Sequence, residues 1–173
     1  MRGVCCGCIT FTPLAGVMQK RIRRFRNGDE DVLRQLFFDT IRTVNRRDYT
    51  DEQVRAWAPE IYDTEHWGNR MRNLNPFVCE IDGEVAGYAD LQLSGYIDHF
   101  YVSRKFQRRG VGTALFERIE QEAKAHQLKE LSADVSITAR PFFERFGFAV
   151  VKQQKLTINE VMLTNFHMSR KLF

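Results

Sequence analysis

The sequence lacks any apolar run that could cross a membrane, since none of its hydrophobic stretches approaches the ~20 residues that a spanning helix needs. Internal repeats and low-complexity segments are also absent. The apolar stretch within residues 1–17 is interrupted by Pro13 and Gly16, which makes it a poor secretory signal. These absences predict a soluble protein without membrane partners, and 173 residues that are 43% hydrophobic suffice for one compact domain.

Cysteine is scarce and poorly placed for either a disulfide framework or a zinc site. Cys5, Cys6 and Cys8 crowd the start of the chain, and Cys79 stands alone in a predicted strand. No histidine is near enough in sequence to complete a metal site, and neighbouring thiols cannot staple a domain. We therefore expect no metal and a reducing, cytoplasmic location, with an N-terminal extension of unknown role over residues 1–19 and a single domain over 20–173.

Two common phosphate-binding motifs are missing as well. The chain contains neither the G-x-G-x-x-G of dinucleotide folds nor the G-x-x-x-x-G-K-[ST] of nucleoside triphosphatases. Its net charge of +4 is modest, and the basic residues concentrate at residues 20–26 and 104–109. A nucleic-acid partner is compatible with this charge but is not required by it.

Hydrophobic periodicity and turn signals predict an α/β protein with a mixed central sheet of about seven strands and flanking helices. Asp82-Gly83 is a strong two-residue hairpin signal, and Thr50-Asp51-Glu52-Gln53 is a capping box. The predicted strands cover residues 20–25, 77–81, 85–93, 96–102, 130–135, 149–158 and 162–170. The predicted helices cover about residues 29–45, 50–59, 63–73, 113–126 and 139–146.

The most informative segment is Gln107-Arg108-Arg109-Gly110-Val111-Gly112, which joins the predicted strand 96–102 to the helix that follows. Glycines let the backbone approach an anion closely, and the free N–H groups and dipole of a helix start favour negative charge. Four cations, from Arg104, Lys105, Arg108 and Arg109, surround the same place. The segment predicts a cradle for a multiply phosphorylated ligand.

In this context the chain resembles the GNAT superfamily of acyl-coenzyme A N-acyltransferases, in an uncharacterised bacterial-type branch. That family carries a Gln/Arg-x-x-Gly-x-Gly/Ala run after a central strand. Residues 96–102 are similar to its fourth strand, and residues 140–148 resemble its late helix closed by Gly-Phe. The resemblance extends from about Lys20 to the C-terminus and is strongest over residues 85–150.

The resemblance implies that acetyl-coenzyme A is the co-substrate and that the fourth and fifth strands splay apart to admit its pantetheine arm. Free backbone groups of the fourth strand would pair with that arm, and the glycine run would bind the pyrophosphate. The residues that it implies for cofactor binding are Phe100, Tyr101, Val102, Gln107, Arg108, Arg109, Gly110, Val111, Gly112, Thr113 and Phe143.

Attack of a primary amine on the thioester requires a proton acceptor, an oxyanion donor and a proton for the departing thiolate. Asp98 and His99 are the candidate bases, and in a regular strand they would point to opposite faces, so we favour Asp98. A backbone N–H of Phe100 or Tyr101 would serve the oxyanion. Many family members carry a tyrosine where this chain has Phe143, so we assign the donor role to Tyr101, with Tyr96, Ser136 and water as alternatives.

Other interpretations remain open. Asp98 could simply pair with an arginine, and His99 could be a core histidine. The missing tyrosine is compatible with a non-catalytic acyl-coenzyme A sensor. The basic residues at 20–26 are compatible with a nucleic-acid-binding protein. Acidic residues and Tyr49, Trp57 and Tyr62 mix in residues 48–65, which suits either a cationic amine or an ordinary helix surface. A small-molecule or peptide amine is the expected acceptor, and a homodimer through the last strand is compatible with the sequence.

Overall fold

Eight strands lie within residues 19–172, the part of the chain that this computed structural model describes. The strands are β1 (Lys20–Arg24), β2 (Phe77–Ile81), β3 (Glu84–Ala89), β4 (Tyr96–Ile97), β5 (Phe100–Val102), β6 (Glu130–Ser136), β7 (Ala149–Ile158) and β8 (Val161–Lys171). The helices are α1 (Glu30–Thr43), α2 (Asp51–Trp57), α3 (Thr64–Leu74), α4 (Val111–Ala125) and α5 (Arg140–Arg145). Except for Gln19, the predicted N-terminal extension lies outside the described residues.

The strands form two sheets that meet at the middle of the fold. One sheet has the order β1-β2-β3-β5 and is antiparallel throughout. The other has the order β4-β6-β8-β7, in which only β4 and β6 are parallel. The predicted mixed α/β architecture is confirmed, with α4 as the crossover that connects β5 to β6.

The predicted fourth strand is wrong in one respect, because residues 96–102 are not one strand. The chain leaves the strand conformation at Asp98 and His99, so β4 pairs with β6 while β5 pairs with β3. The backbone N–H groups of both residues donate to Asp90 Oδ1, over 3.0 and 2.6 Å. A single buried carboxyl group thus satisfies the two donors that the break leaves without a strand partner.

Local signals of the sequence are confirmed elsewhere. Asp82 and Gly83 both have positive φ values, 51° and 84°, and join β2 to β3 as a tight hairpin. At the start of α2, the Thr50 hydroxyl accepts from Gln53 N while the Gln53 side chain accepts from Thr50 N. These motifs depend only on residues adjacent in sequence, which is why the sequence alone reveals them.

Helices cover both faces of the first sheet. One face of β2, with Phe77, Cys79 and Ile81, packs in the same core as the buried side of α4 and the inner residues of β6. The opposite face, with Val78, packs against α1 and α3. Because α4 contributes to a core shared by both sheets, its N-terminal end is held at their junction. Within residues 19–172, no helix combines the length and apolar character that crossing a membrane requires.

The last strand is not an open edge, contrary to the proposed mode of dimerisation. β8 is paired with β6 on one side and with β7 on the other. The exposed edge of this sheet is β7, which carries Val151 with 62% of its surface exposed. The homodimer stays a prediction, and a sheet-edge contact would have to use β7.

Replacing Asp90 with asparagine should change how stability depends on pH. Burial raises the pKa of Asp90 from 3.8 to about 7, against the opposing effect of its backbone hydrogen bonds. The folded protein therefore keeps a proton on Asp90 that the unfolded chain releases, and the contribution of Asp90 to the free energy of unfolding falls as pH rises from about 4 to about 7. The asparagine side chain mimics the protonated acid and has no such dependence. Chemical denaturation of both proteins across this range measures the difference.

Asp90→Ala is the matched control, because it removes the acceptor altogether. Two N–H groups then lose their partner, and we expect a loss of about 2–4 kcal/mol relative to Asp90→Asn at every pH, since neither variant titrates at this position. If the free energies of unfolding of the wild type and Asp90→Asn changed in parallel with pH, this result would contradict the assigned protonation of Asp90.

Candidate active site

A cleft opens where the two sheets diverge. β6 pairs with β4 only as far as Ala133, and β5 pairs with β3 on its other side. Residues 134–136 and β5 therefore face each other across a gap rather than through hydrogen bonds. This arrangement leaves backbone donors and acceptors available to a ligand at the carboxyl ends of the strands.

Hydrogen bonds at the two ends of β5 determine which of its backbone groups face the cleft. Asp90 N donates to His99 O over 3.1 Å, and Ser103 N donates to Ala86 O over 2.9 Å. Antiparallel pairs alternate, so Tyr101, midway between His99 and Ser103, also directs its backbone N–H and C=O towards β3. This differs from the expectation that the Tyr101 backbone would be free.

Phe100 and Val102 therefore turn their backbone groups towards the cleft. The Val102 carbonyl already accepts from Gln107 Nε2 over 2.8 Å and from Thr40 Oγ1 over 3.3 Å. The oxyanion donor predicted at Phe100 or Tyr101 is consequently compatible only with the Phe100 N–H.

The glycine run forms the start of α4. Gly110 has a φ of 74°, and the first bond of the helix runs from Ala114 N to Gly110 O over 3.0 Å. The N–H groups of Val111, Gly112 and Thr113 precede that bond and point out of the helix start. A Cβ atom on Gly112 would lie 2.9 Å from Phe142 Cε2, so the close approach of α5 also requires a glycine there.

The cleft has a volume of about 990 Å³ and receives three arginine side chains, Arg47, Arg108 and Arg145. All the predicted cofactor-binding residues except Arg109 line it, namely Phe100, Tyr101, Val102, Gln107, Arg108, Gly110, Val111, Gly112, Thr113 and Phe143. Arg109 instead places its guanidinium carbon 5.7 Å from the centre of the Phe106 ring.

A second, smaller space, the side cavity, adjoins the cleft. It has a volume of about 470 Å³ and lies between α1, the α2–α3 region and the second sheet. The residues that line both spaces are Trp57, Asp98, Tyr101, Asp134 and Ser136. The cleft and the side cavity therefore communicate at the two predicted catalytic residues, Asp98 and Tyr101.

Asp98 and His99 both line the side cavity, which overturns the expectation that they face opposite ways. Strand alternation fails here because the chain breaks between β4 and β5. Asp98 Oδ2 accepts from Arg70 Nη2 over 2.6 Å, so the arginine pairing considered above is present. His99 shares a hydrogen bond of 3.0 Å with the Tyr88 hydroxyl, and burial lowers the pKa of His99 to about 4. Its ring is uncharged at neutral pH.

The tyrosine hydroxyls near this junction stay protonated at neutral pH. Burial raises the pKa of Tyr101 well above its ordinary value, and the nearby Asp98 carboxylate adds to the shift. Burial also raises the pKa of Tyr96, with a contribution from Asp134. Tyr101 lines both spaces, whereas Tyr96 lines only the side cavity. Both can donate a proton, but only Tyr101 borders the cleft.

Comparison with known proteins agrees with this geometry. A family model described as an acetyltransferase (GNAT) domain matches residues 45–170, most of the chain. The chain belongs to the GNAT acetyltransferase family. An Escherichia coli K12 relative, the uncharacterized N-acetyltransferase YafP, is 32% identical over 151 residues, which cover 87% of this chain and 95% of that protein.

Solved structures show the same GNAT fold. A GCN5-related N-acetyltransferase from Rhodopseudomonas palustris aligns with a TM-score of 0.85 and 28% identity, over 91% of this chain and 99% of that one. PaiA N-acetyltransferase from Thermoplasma acidophilum, in complex with coenzyme A, aligns with a TM-score of 0.72 and 17% identity, over 89% and 99% of the two chains.

In this GNAT domain, Phe143 lies in an aromatic cluster on α5. It is 3% exposed, and its ring centre lies 5.6 Å from that of Phe100 and 5.1 Å from that of Phe148. Phe142 packs 5.2 Å from Phe100 on the same wall. The absence of a hydroxyl at residue 143 is thus accompanied by dense apolar packing beside the cleft.

In the structure, the aromatic and the acidic residues of segment 48–65 mostly lie in different places. Its aromatic residues Tyr49, Trp57 and Tyr62 all line the side cavity, and of its acidic residues Asp63 does so. The acidic side chains at 48, 51 and 60 instead pair with arginines at 47, 46 and 42. The surface interpretation therefore holds for most of the acids, while the aromatic residues belong to the cavity.

Most of the cations in the basic run 20–26 already have partners within the protein. Arg23 pairs with Asp29 and Glu80 over 2.6 and 2.7 Å, and Arg24 pairs with Glu122. Lys20 Nζ donates to Gly110 O over 3.2 Å at the rim of the cradle. These contacts do not favour a nucleic-acid interface. Among residues 19–172, no group of three or more His, Cys, Asp or Glu side chains is arranged for a metal ion.

Sequence reasoning missed two residues that shape this GNAT site. Asp90 holds the break beside Asp98 and His99, and the buried Arg34 lines the side cavity. Neither belongs to a local motif, because the partners of Asp90 lie 8 and 9 residues further along the chain and the partner of Arg34 lies 25 residues further. No signal in the linear sequence distinguishes them from ordinary strand and helix residues.

Thr113→Asp should weaken ligand binding in the cleft without weakening the fold. Thr113 is exposed in the first turn of α4, where a carboxylate is favourable to the helix dipole but repels a diphosphate. We expect an unchanged or higher melting temperature and an affinity for acetyl-coenzyme A lower by about tenfold or more. Calorimetric titration and thermal melting measure the two effects.

Thr113→Asn is the matched control, since asparagine has nearly the same shape as aspartate but carries no charge. Equal losses of affinity in the two variants would indicate that shape rather than charge is responsible. Unchanged affinity in Thr113→Asp would contradict the assignment of the cradle.

Proposed function

We propose that this protein is an acetyl-coenzyme A-dependent N-acetyltransferase that transfers the acetyl group directly to a primary amine. The observation that carries the proposal is the junction of two spaces at Asp98 and Tyr101. The cleft offers backbone donors and cations suited to a long phosphorylated ligand, and the side cavity is a separate enclosure for an acceptor. Two substrates could therefore meet at the predicted catalytic residues.

The cleft residues suit acetyl-coenzyme A. The volume of the cleft is within the usual range for cofactor sites, and the N–H groups at the start of α4 are suited to binding a diphosphate. The backbone groups of Phe100 and the N–H of Val102 would pair with the pantetheine arm as an added strand would, since the Val102 carbonyl already accepts from Gln107 and Thr40. Gln107, Arg108 and the glycines would border the phosphates, and Phe143 would line the apolar part. The bound co-substrate supplies the reactive acetyl thioester.

The protein supplies three functions to the reaction. Asp98 would take the proton from the acceptor amine, directly or through a water molecule, while Arg70 orients its carboxylate. The Phe100 N–H would stabilise the oxyanion. Tyr101, whose hydroxyl is protonated at neutral pH, would donate to the departing thiolate. The buried aromatic wall of α5 would limit water at the thioester.

Relatives support the finer features of this proposal. GNAT acetyltransferases act on amine acceptors, and the Thermoplasma PaiA structure contains coenzyme A. A cytoplasmic location would give access to both substrates. The alternative of a non-catalytic acyl-coenzyme A sensor shares the cleft but predicts no turnover.

Calorimetric titration with acetyl-coenzyme A tests the proposal directly, with dephospho-coenzyme A and ATP as controls. We expect binding that is selective for acetyl-coenzyme A, followed by release of free thiol when a panel of primary amines is added. Absence of binding would refute the proposed function. Tight binding without turnover on any amine would favour the sensor.

Asp98→Asn should lower kcat by about 10²- to 10⁴-fold with an amine that the wild type acetylates. Asparagine keeps the side-chain shape and can still accept from Arg70, but it cannot take a proton, so the affinity for acetyl-coenzyme A should change little. Steady-state kinetics and calorimetry separate the two quantities. A kcat close to that of the wild type would exclude Asp98 as the base.

Paired tyrosine variants identify the proton donor. Tyr101→Phe should reduce kcat more than Tyr96→Phe, because Tyr101 borders both spaces and Tyr96 borders only one. Both changes remove a single hydroxyl, so they are closely matched. A larger loss in Tyr96→Phe would transfer the donor role to Tyr96, and full activity in both variants would indicate water.

A further inference from the structure

Arg34 is a buried cation that lines the side cavity. It lies on α1 and is 6% exposed. Nη2 donates to the Pro59 carbonyl over 2.5 Å, and the guanidinium carbon lies 4.2 Å from the centre of the Tyr62 ring. Nη1 is buried and has no hydrogen-bond partner among the described residues. One side of the guanidinium is thus satisfied and the other is not.

Neighbouring arginines differ from Arg34 in having carboxylate partners. Arg42, on the same helix, donates to Ala58 O and lies 3.7 Å from Glu60. Arg70, in the same cavity, bonds to Asp98. No carboxylate within residues 19–172 forms an ion pair with Arg34, whose pKa is lowered mainly by burial. Nearby Arg42 adds to that decrease.

An uncompensated buried guanidinium is energetically unfavourable. It remains charged at all ordinary pH values, and burial removes its hydration. The carbonyl of Pro59 and the rings of Phe37, Phe38, Tyr62 and Trp67 compensate only in part, since none of them carries a negative charge. An anionic ligand that accepts from Nη1 would satisfy the remaining donor and the charge together. Nη1 is covered in the unliganded protein, so an anion in the cavity would bind it after a small shift of the neighbouring side chains.

The rest of the cavity indicates what carries that anion. Aromatic side chains, including Phe37, Trp57, Tyr62 and Trp67, dominate its wall, while the Asp98 carboxylate marks the opening to the cleft. A ligand held between Arg34 and Asp98 would need an anionic group, an apolar body and an amine.

We propose that the acceptor is an amine with an apolar body and a carboxylate, and that Arg34 Nη1 binds this carboxylate while the amine is presented at Asp98. This inference rests on the proposed acetyl transfer for the role of the amine. The anion site itself rests only on the placement of Arg34. Arg34 is therefore a specificity residue for the acceptor rather than a group that takes part in the chemistry.

Tryptophan fluorescence tests the anion site without requiring turnover. The chain has 2 tryptophans, and both Trp57 and Trp67 line the side cavity, so a ligand there should alter the emission. The probes are product-like pairs that differ only in the carboxylate: N-acetylphenylalanine against N-acetylphenethylamine, and 4-acetamidobutanoate against N-butylacetamide. In the wild type we expect at least one acid to bind about tenfold or more tightly than its neutral partner.

Three variants assign that preference to Arg34. Arg34→Met should remove the preference, because it should weaken binding of the acid probe about tenfold and leave binding of the neutral probe unchanged. Arg34→Lys should retain part of the preference. Arg42→Met is the matched control, because it removes a guanidinium from the same helix outside the cavity, and it should leave the preference intact. Thermal melting establishes that each variant is folded.

Each outcome decides the proposal. Equal binding of acid and neutral probe in every wild-type pair, or no fluorescence response to any probe, refutes it even if Arg34→Met fails to fold. A preference that survives in folded Arg34→Met also refutes it. Failure of the proposed acetyl transfer would appear separately, as the absence of acetyl-coenzyme A binding in calorimetry. With amines that are turned over, Arg34→Met should raise KM for the acid and leave kcat nearly unchanged.

Discussion

The architecture depends on the carboxyl group of Asp90. Its Oδ1 atom accepts from the backbone of Asp98 and His99 at the point where one strand would otherwise continue. Because those N–H groups are satisfied by a side chain, the chain can pass from one sheet to the other without leaving buried donors unpaired. Burial holds the pKa of Asp90 at about 7, which shows how strongly the surroundings disfavour its charge.

The cleft is a consequence of that break. β5 stays with β3 and β4 joins β6, so the backbone of Phe100 and Val102 faces an opening. A second constraint brings α4 to the same place. A Cβ atom on Gly87 would lie 2.8 Å from Tyr101 O and 2.9 Å from Val111 Cγ1, so only glycine lets the helix start approach β3 so closely. The positive end of α4 and the free strand edge are therefore brought together by packing.

The charged and titratable side chains around the junction of the two spaces differ in whether they have partners. Asp98 is paired with Arg70, and His99 is uncharged because burial lowers its pKa to about 4. Arg34 is the exception, a cation in an aromatic environment without a carboxylate partner in the described part of the chain. Ion pairs satisfy most of these groups within the protein, whereas Nη1 of Arg34 is the donor that the proposed acceptor carboxylate would bind.

Elements with local causes could be predicted from the amino-acid sequence, and these include the hairpin at Asp82-Gly83, the capping box at Thr50 and the glycine run before α4. The break between β4 and β5, the orientation of the Tyr101 backbone and the lack of a carboxylate partner for Arg34 among the described residues could be seen only in the folded protein. A turn or helix cap is built by residues a few positions apart, so its chemistry can be seen in the linear sequence. Hydrogen-bond partners and burial arise between residues that are distant along the chain, and they exist only once the sheets and helices have packed.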